Sequence, residues 1–193
     1  MSKTKKQVVF EAATQLFREK GYKAASMREL AERVGLKQAS SLYNHFKSKE
    51  IVLQKICFEN ADKFISGIDS IERKNISPAE KIKALIQLHI SIATEDITSV
   101  TVFNDEWRHL PETELTAFLK DRNEYEANFK ALLRSGMDSG EFVTMSESTA
   151  FQLVISSVKW IHYSAKRMKK EELDRKRDEI KHFISRGLFL EIN

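Results

Sequence analysis

Apolar side chains recur every three or four residues along most of the chain, which is the spacing of one face of an α-helix. In the first such segment, from about Thr4 to Lys20, Val9, Ala13 and Leu16 fall on one side. Only two prolines and six glycines interrupt the chain. No stretch alternates long enough between apolar and polar residues to predict a β-strand. The sequence therefore predicts an all-α protein of about nine helices.

Capping residues place the starts of several helices. Ser48 is a predicted N-cap for a long fourth helix that connects two domains. Residues 77–80 combine a capping serine, a first-turn proline and a glutamate at the third position. Later helices are predicted over about 97–109, 112–136, 146–167 and 170–189.

Residues 26–46 predict two short helices joined by a glycine turn. Ser26 can accept a hydrogen bond from the amide of Glu29 in a capping box, and Gly35 stands where the first helix must end. Leu42 and Phe46, four residues apart, give the second helix a buried face. This is the layout of a helix-turn-helix, whose second helix enters the DNA major groove. Two amphipathic helices of an ordinary bundle would share the pattern, so the flanking residues must decide.

Residues 8–53 resemble the DNA-binding domain of the TetR family of bacterial transcriptional regulators. The resemblance is carried by Ala12-Ala13-Thr14-Gln15-Leu16-Phe17, Lys20-Gly21-Tyr22, Ser26-Met27-Arg28-Glu29-Leu30-Ala31, Val34-Gly35-Leu36 and Leu42-Tyr43-Asn44-His45-Phe46-Lys47-Ser48-Lys49-Glu50. It implies a three-helix DNA-binding domain over residues 1–47. Residues 48–193 would then form a helical domain that dimerises and binds a small effector.

The sequence departs from the family pattern at one place. Six residues lie between Gly35 and Leu42, one more than the pattern leads us to expect. The surplus falls among residues that would contact bases, so it leaves open which side chain meets which base. It could lengthen the turn or bulge the start of the second helix.

Charge is distributed unevenly along the chain. Residues 1–50 hold 11 Lys and Arg against 5 acidic residues, whereas residues 51–193 hold 21 against 23. The basic excess coincides with the predicted helix-turn-helix. Neutralisation of phosphates supplies much of the affinity of DNA-binding proteins, so this coincidence favours a DNA interface over an ordinary solvated basic surface.

By resemblance, Tyr43, His45 and Lys49 would grip the DNA backbone, although Tyr43 could instead be a half-buried core aromatic. Base contacts are expected from exposed polar residues of the second helix, because lysine favours guanine and glutamine favours adenine. The predicted DNA-binding residues are Ser26, Arg28, Lys37, Gln38, Ala39, Ser40, Ser41, Tyr43, Asn44, His45, Lys47 and Lys49.

A second candidate site lies in the C-terminal part, where polar groups adjoin a tryptophan and a proline break. Residues 104–112 resemble the corresponding segments of TetR-family regulators of fatty-acid and acyl-CoA metabolism. Sites in helical bundles are built from side chains on facing helices. The predicted ligand-binding residues are His89, Phe103, Glu106, Trp107, Arg108, Arg122, Tyr125, Trp160 and Tyr163. The alternative is a helix end that carries surface charges.

The two last predicted helices carry apolar stripes, with small residues that allow close approach. Two copies of the chain could form an intersubunit four-helix bundle from them, or the stripes could serve the chain's own core.

Other functional classes find little support in the sequence. The single Cys57 excludes an intramolecular disulfide. The histidines lack the spacing of a zinc site, and no Gly-x-Ser-x-Gly elbow or phosphate-binding glycine loop is present. We therefore expect no enzyme activity, cofactor or metal. We also expect no secretory signal and no membrane span, and hence a cytoplasmic protein.

Taken with the resemblance, these features imply a homodimeric repressor on a palindromic double-stranded operator, released by a small-molecule effector. An acyl-CoA or fatty acid is the first hypothesis for that effector. The alternatives are a transcriptional activator, and a helical ligand-binding protein or enzyme whose basic N-terminus is only a surface.

Overall fold

The computed structural model describes residues 3–159, 161 and 168–190. Its α-helices are α1 (Lys5–Lys20), α2 (Met27–Arg33), α3 (Lys49–Glu72), α4 (Pro78–Glu95), α5 (Ile97–Glu106), α6 (Glu112–Asp138), α7 (Glu147–Lys159) and α8 (Lys170–Leu188), with 3-10 helices at Ala39–Asn44 and Trp107–His109. Within these residues there is no strand, only an isolated antiparallel bridge between Phe142 and Phe189. The all-α prediction is confirmed. The predicted helix over 146–167 is described only as far as Lys159.

Helix starts follow the capping residues of the sequence. The Ser77 hydroxyl accepts from the amide of Glu80, whose carboxylate returns to the Ser77 amide, and Pro78 occupies the first turn of α4. The same reciprocal pair forms at the start of α1, between Thr4 and Gln7. These bonds satisfy amides that a helix end otherwise leaves without partners.

The chain forms two compact units, each assembled from separate segments. Unit 1 comprises Met1–Ala61 and Thr98–Leu119, and unit 2 comprises Asp62–Ile97 and Lys120–Asn193. Both α3 and α6 contribute residues to each unit. The division at residue 47 proposed from the sequence stays a prediction, because compact packing and independent domains are different properties.

Unit 1 is built around apolar residues of α1 and α3. Leu16 and Phe17 of α1 are buried, as are Val52, Leu53 and Ile56 of α3. Full burial of a large apolar side chain stabilises a fold by about 1.5–3 kcal/mol, so these positions hold the N-terminal helices in place.

Unit 2 places α4, α7 and α8 against one another. Ile180, Ile184 and Leu188 of α8 face its interior. Gly136, near the C-terminal end of α6, lets this helix pack closely against the Phe142 ring. A Cβ at this position would lie 2.1 Å from that ring. No helix of the part of the chain that the structure describes is long and apolar enough to cross a membrane.

Candidate nucleic-acid interface and ligand site

The first helix of the predicted helix-turn-helix is confirmed with Ser26 as its N-cap, but the predicted capping box forms only in part. The Ser26 hydroxyl accepts from the Glu29 amide at 3.2 Å, while the Glu29 carboxylate lies 2.6 Å from Nζ of Lys20 instead of returning to the cap. At its end, Gly35 takes a φ of 72°, which favours glycine. The Leu36 amide donates to the Ala31 carbonyl at 2.9 Å. This closure fixes the direction in which the chain leaves α2.

The second helix differs from the prediction in its type. Residues Ala39–Asn44 form a 3-10 helix, without a side-chain cap at Gln38. A 3-10 helix repeats every three residues, so positions 39, 42 and 45 share one side, which is the less exposed side here. Leu42 is fully buried and Phe46 nearly so, as predicted.

Most predicted DNA contacts lie on the surface that this geometry leaves open. The exposed set is Ser26, Arg28, Lys37, Gln38, Ser40, Tyr43, Asn44 and Lys47, while Ala39, Ser41, His45 and Lys49 are half-buried. Tyr43 is 53% exposed, so its side chain is available at the surface. Arg28 lies 3.2 Å from the Glu32 carboxylate one turn along α2. The assignment of these side chains to DNA stays a prediction.

Lys49 stands apart from this set because its ammonium group is engaged inside unit 1. Its Nζ lies 3.1 Å from the carbonyl oxygen of Tyr22, 3.3 Å from that of Ala25 and 3.5 Å from that of Lys23. It also lies 4.4 Å from the centre of the Tyr22 ring.

The predicted ligand residues fall in both compact units. In unit 1, the Trp107 ring stacks on Phe118 at 5.7 Å, and Phe103 meets Phe118 edge-on at 5.8 Å. The exposed Arg108 guanidinium covers the Trp107 ring at 4.2 Å. The Glu106 carboxylate lies 3.1 Å from Nδ1 of His109. Three of the predicted side chains therefore meet at one aromatic cluster.

In unit 2, Nε2 of His89 lies 2.7 Å from the Tyr125 hydroxyl. The His89 ring centre is 4.8 Å from that of Phe64 and 6.2 Å from that of Phe129. Burial lowers the pKa of His89 to about 4, so its imidazole is neutral near pH 7. Burial also raises the pKa of Tyr125. The structure thus joins these two predicted residues as an uncharged hydrogen-bonded pair in an aromatic setting.

The remaining ligand predictions fare differently. Arg122 is exposed on α6. Trp160 and Tyr163 lie outside the described residues.

Metal binding and thiol chemistry gain no support from the side chains that the structure describes. These side chains contain no group of three or more histidine, cysteine or acidic residues that could hold a metal ion. Cys57 is buried, and burial raises its pKa to about 12.

Sequence reasoning missed aromatic residues that complete both clusters. Phe118, Tyr125 and Phe129 lie on α6 at spacings of seven and four, which place them along one helix face. That spacing could have identified Phe118 and Phe129. Tyr22, which contacts Phe17, His109 and Lys49, gave no comparable signal because its partners are distant in sequence.

Comparison with known proteins adds to this geometry. A family model described as bacterial regulatory proteins of the tetR family matches residues 9–56, and one described as the tetracyclin repressor-like C-terminal domain matches residues 75–163. Together these ranges cover more than two thirds of the chain. The chain belongs to the TetR family.

Among relatives of this TetR-family chain, the HTH-type transcriptional repressor KstR2 of Rhodococcus jostii is 26% identical over 135 residues. That match covers 69% of this chain and 66% of the relative, just under two thirds of its length.

Two solved structures share the fold. The ketosteroid transcriptional regulator KstR2 of Mycobacterium tuberculosis has a TM-score of 0.86 at 17% identity. The match covers 99% of this chain and 98% of the KstR2 chain. AibR, solved in complex with isovaleryl coenzyme A and operator DNA, has a TM-score of 0.78 at 18% identity, covering 94% and 98%.

Proposed function

We propose that this TetR-family chain is a DNA-binding transcriptional repressor, regulatory and not enzymatic, which a small molecule releases from its operator in the cytoplasm. The observation that carries the proposal is the exposed polar surface of the 3-10 helix Ala39–Asn44, set in the basic N-terminal segment. Lys37, Gln38 and Ser40 would contact base edges, and Tyr43 and Lys47 the phosphates. The relative named as a repressor supports the direction of control.

The repressor would act as a homodimer on a palindromic site. Two copies would place their recognition elements, the 3-10 helices Ala39–Asn44, in successive major grooves about 34–36 Å apart. Leu153 of α7 is 57% exposed and Phe183 of α8 is 70% exposed. Large apolar side chains at such exposure suit a surface that a second copy covers.

The effector would be an acyl-CoA or a fatty acid. Support comes from the isovaleryl coenzyme A bound by AibR and from the aromatic residues around His89 in unit 2. Sites for such ligands combine apolar walls with few polar groups. The His89–Tyr125 pair would supply a polar contact within unit 2.

Contacts inside unit 1 connect the segment that precedes α6 to the N-terminal helices. The Tyr22 ring packs on His109 at 5.5 Å, and the Arg18 guanidinium donates to the Thr98 hydroxyl at 2.9 Å. Residues 98–109 therefore contact α1 and the connection that leads into α2. An effector that alters these contacts, or moves α3, would lower DNA affinity, and DNA would lower effector affinity by the same factor.

Selection from random duplex DNA tests the proposed function. The protein will enrich a palindromic sequence, and Gln38→Ala will relax the preference at particular base positions at a cost of about 1–3 kcal/mol, because a bidentate contact is lost. Gln152→Ala, the same change at an exposed position of α7, is the matched control and will retain the motif. Enrichment of no sequence by the parent protein would refute the proposal.

Removal of the Tyr125 hydroxyl tests the effector site. Tyr125→Phe keeps the ring contacts and will weaken effector binding about tenfold, the effect of one lost hydrogen bond, while operator affinity without effector stays unchanged. Isovaleryl-CoA, palmitoyl-CoA and palmitate are the ligands, and DNA release and tryptophan fluorescence are the measurements. Tyr43→Phe makes the same change outside the cluster and is compared by tryptophan fluorescence alone, because Tyr43 is a proposed DNA contact. Equal effector affinity in Tyr125→Phe and the parent would exclude this hydroxyl from the site.

A further inference from the structure

The connection between α1 and α2 carries carbonyl groups outside regular helix. The carbonyls of Tyr22, Lys23 and Ala25 belong to this connection, which ends at Ser26, the N-cap of α2. Carbonyl groups that lack helical partners need other donors when they are shielded from water. Lys49, the first residue of α3, supplies these donors although it follows the three carbonyl groups by 24 to 27 residues in the chain.

The Lys49 ammonium group has three N–H donors. Its Nζ lies 3.1, 3.3 and 3.5 Å from the three carbonyl oxygens, so each N–H donor has a backbone acceptor. The Tyr22 ring covers the same charge at 4.4 Å. A phosphate contact by Lys49 would have to replace at least one of these interactions.

The neighbouring residue holds the connection from another direction. The Tyr22 hydroxyl donates to the Glu50 carboxylate at 3.1 Å. Hydrogen bonds, of which that from Ser48 has the largest effect, lower the pKa of Glu50. The carboxylate therefore stays ionised and can accept the hydrogen bond from Tyr22. Lys49 therefore contacts the backbone and ring of Tyr22, and Glu50 accepts a hydrogen bond from its hydroxyl.

We propose that Lys49 is a positioning residue, which fixes the start of α2 against α3 and so orients the recognition element, and that it does not contact DNA phosphate. This inference rests on the proposed DNA-binding function. Lys47, two residues earlier, is exposed and offers the matched comparison.

Salt dependence separates the two roles. Each phosphate contact releases counterions and steepens the plot of log affinity against log salt by about 0.9 units. Lys47→Met will flatten this slope by about 0.9 on a random-sequence duplex. Lys49→Met will leave that slope unchanged but will lower the preference for the selected operator over the random duplex about tenfold, because the recognition element is misoriented.

Preference for the operator is a readout that a loss of stability alone would not move, provided circular dichroism shows the variant folded. Lys49→Arg gives a second test if Lys49→Met does not fold. Arginine keeps the charge, but its planar guanidinium cannot donate to all three carbonyl groups as the compact ammonium does. The operator preference of Lys49→Arg will therefore stay low. A phosphate contact would instead be restored by arginine.

The inference is overturned if Lys49→Met flattens the salt slope by about 0.9, or if Lys49→Arg binds the operator as the parent does. Failure of the parent protein to bind any duplex would overturn the proposed function, and this inference with it.

Discussion

Phe183→Glu will convert the protein from a dimer into a monomer and lower its operator affinity by at least about 100-fold. Phe183 is 70% exposed on α8, and Leu153 on α7 is 57% exposed. A glutamate at the centre of an apolar interface would be buried without a partner, at a cost of several kcal/mol. A monomer also loses the gain in effective concentration that two linked half-site contacts provide.

His182→Glu is the matched control, since it adds the same charge one residue away and points about 100° around the helix. Light scattering will report roughly twice the 22.3 kDa chain mass for the parent and for this control. Ile184→Glu would not serve, because Ile184 is buried in its own unit and the change would unfold the chain. A dimeric Phe183→Glu would remove this face from the dimer interface.

Local signals in the sequence predicted much of the fold. The capping box at Ser77 and the glycine after α2 act within a few residues of chain, so their effects can be read without tertiary contacts. The predicted burial of Leu42 and Phe46 is also confirmed, although Phe46 lies beyond the end of the 3-10 helix. Structure followed the sequence wherever a short-range pattern had no competitor.

The recognition element shows where local reasoning stops. Ser40, Ser41 and Asn44 have side chains that compete for backbone hydrogen bonds, which lowers the preference for an α-helix. Leu42 and Phe46 must both be buried despite the extra residue after Gly35. The segment meets these demands as a 3-10 helix, and no spacing rule distinguishes it beforehand from a shifted α-helix.

The candidate sites depend still more on distant contacts. His89 and Tyr125 lie 36 positions apart, and Lys49 reaches carbonyls more than 20 positions earlier. The family resemblance suggested that Lys49 contacts DNA phosphate, but only the fold shows which groups already surround its charge. Sequence therefore identified the chemical groups better than their partners.

Acidification from pH 7 to pH 4.5 will destabilise the protein through His89. Burial holds the pKa of His89 in the folded protein at about 4, against 6.5 for the exposed side chain of the unfolded chain. The unfolded state therefore binds a proton between these values and the folded state does not. Stability is fully present above pH 6.5 and falls as the pH drops toward 4, by about 2 kcal/mol at pH 4.5.

The pH window isolates this group from the carboxylates. The pKa values of Glu50, Glu141 and Glu147 are lowered from 4.5, so most of the stability that they contribute is lost below that pH. Urea unfolding at pH 7 and pH 4.5, at one protein concentration, measures the difference. His89→Leu will remove most of the pH dependence, whereas the exposed His182→Gln will retain it. An equal loss of stability in His89→Leu would assign the effect to other groups and would weaken the case for a neutral His89–Tyr125 pair as the polar contact for an effector.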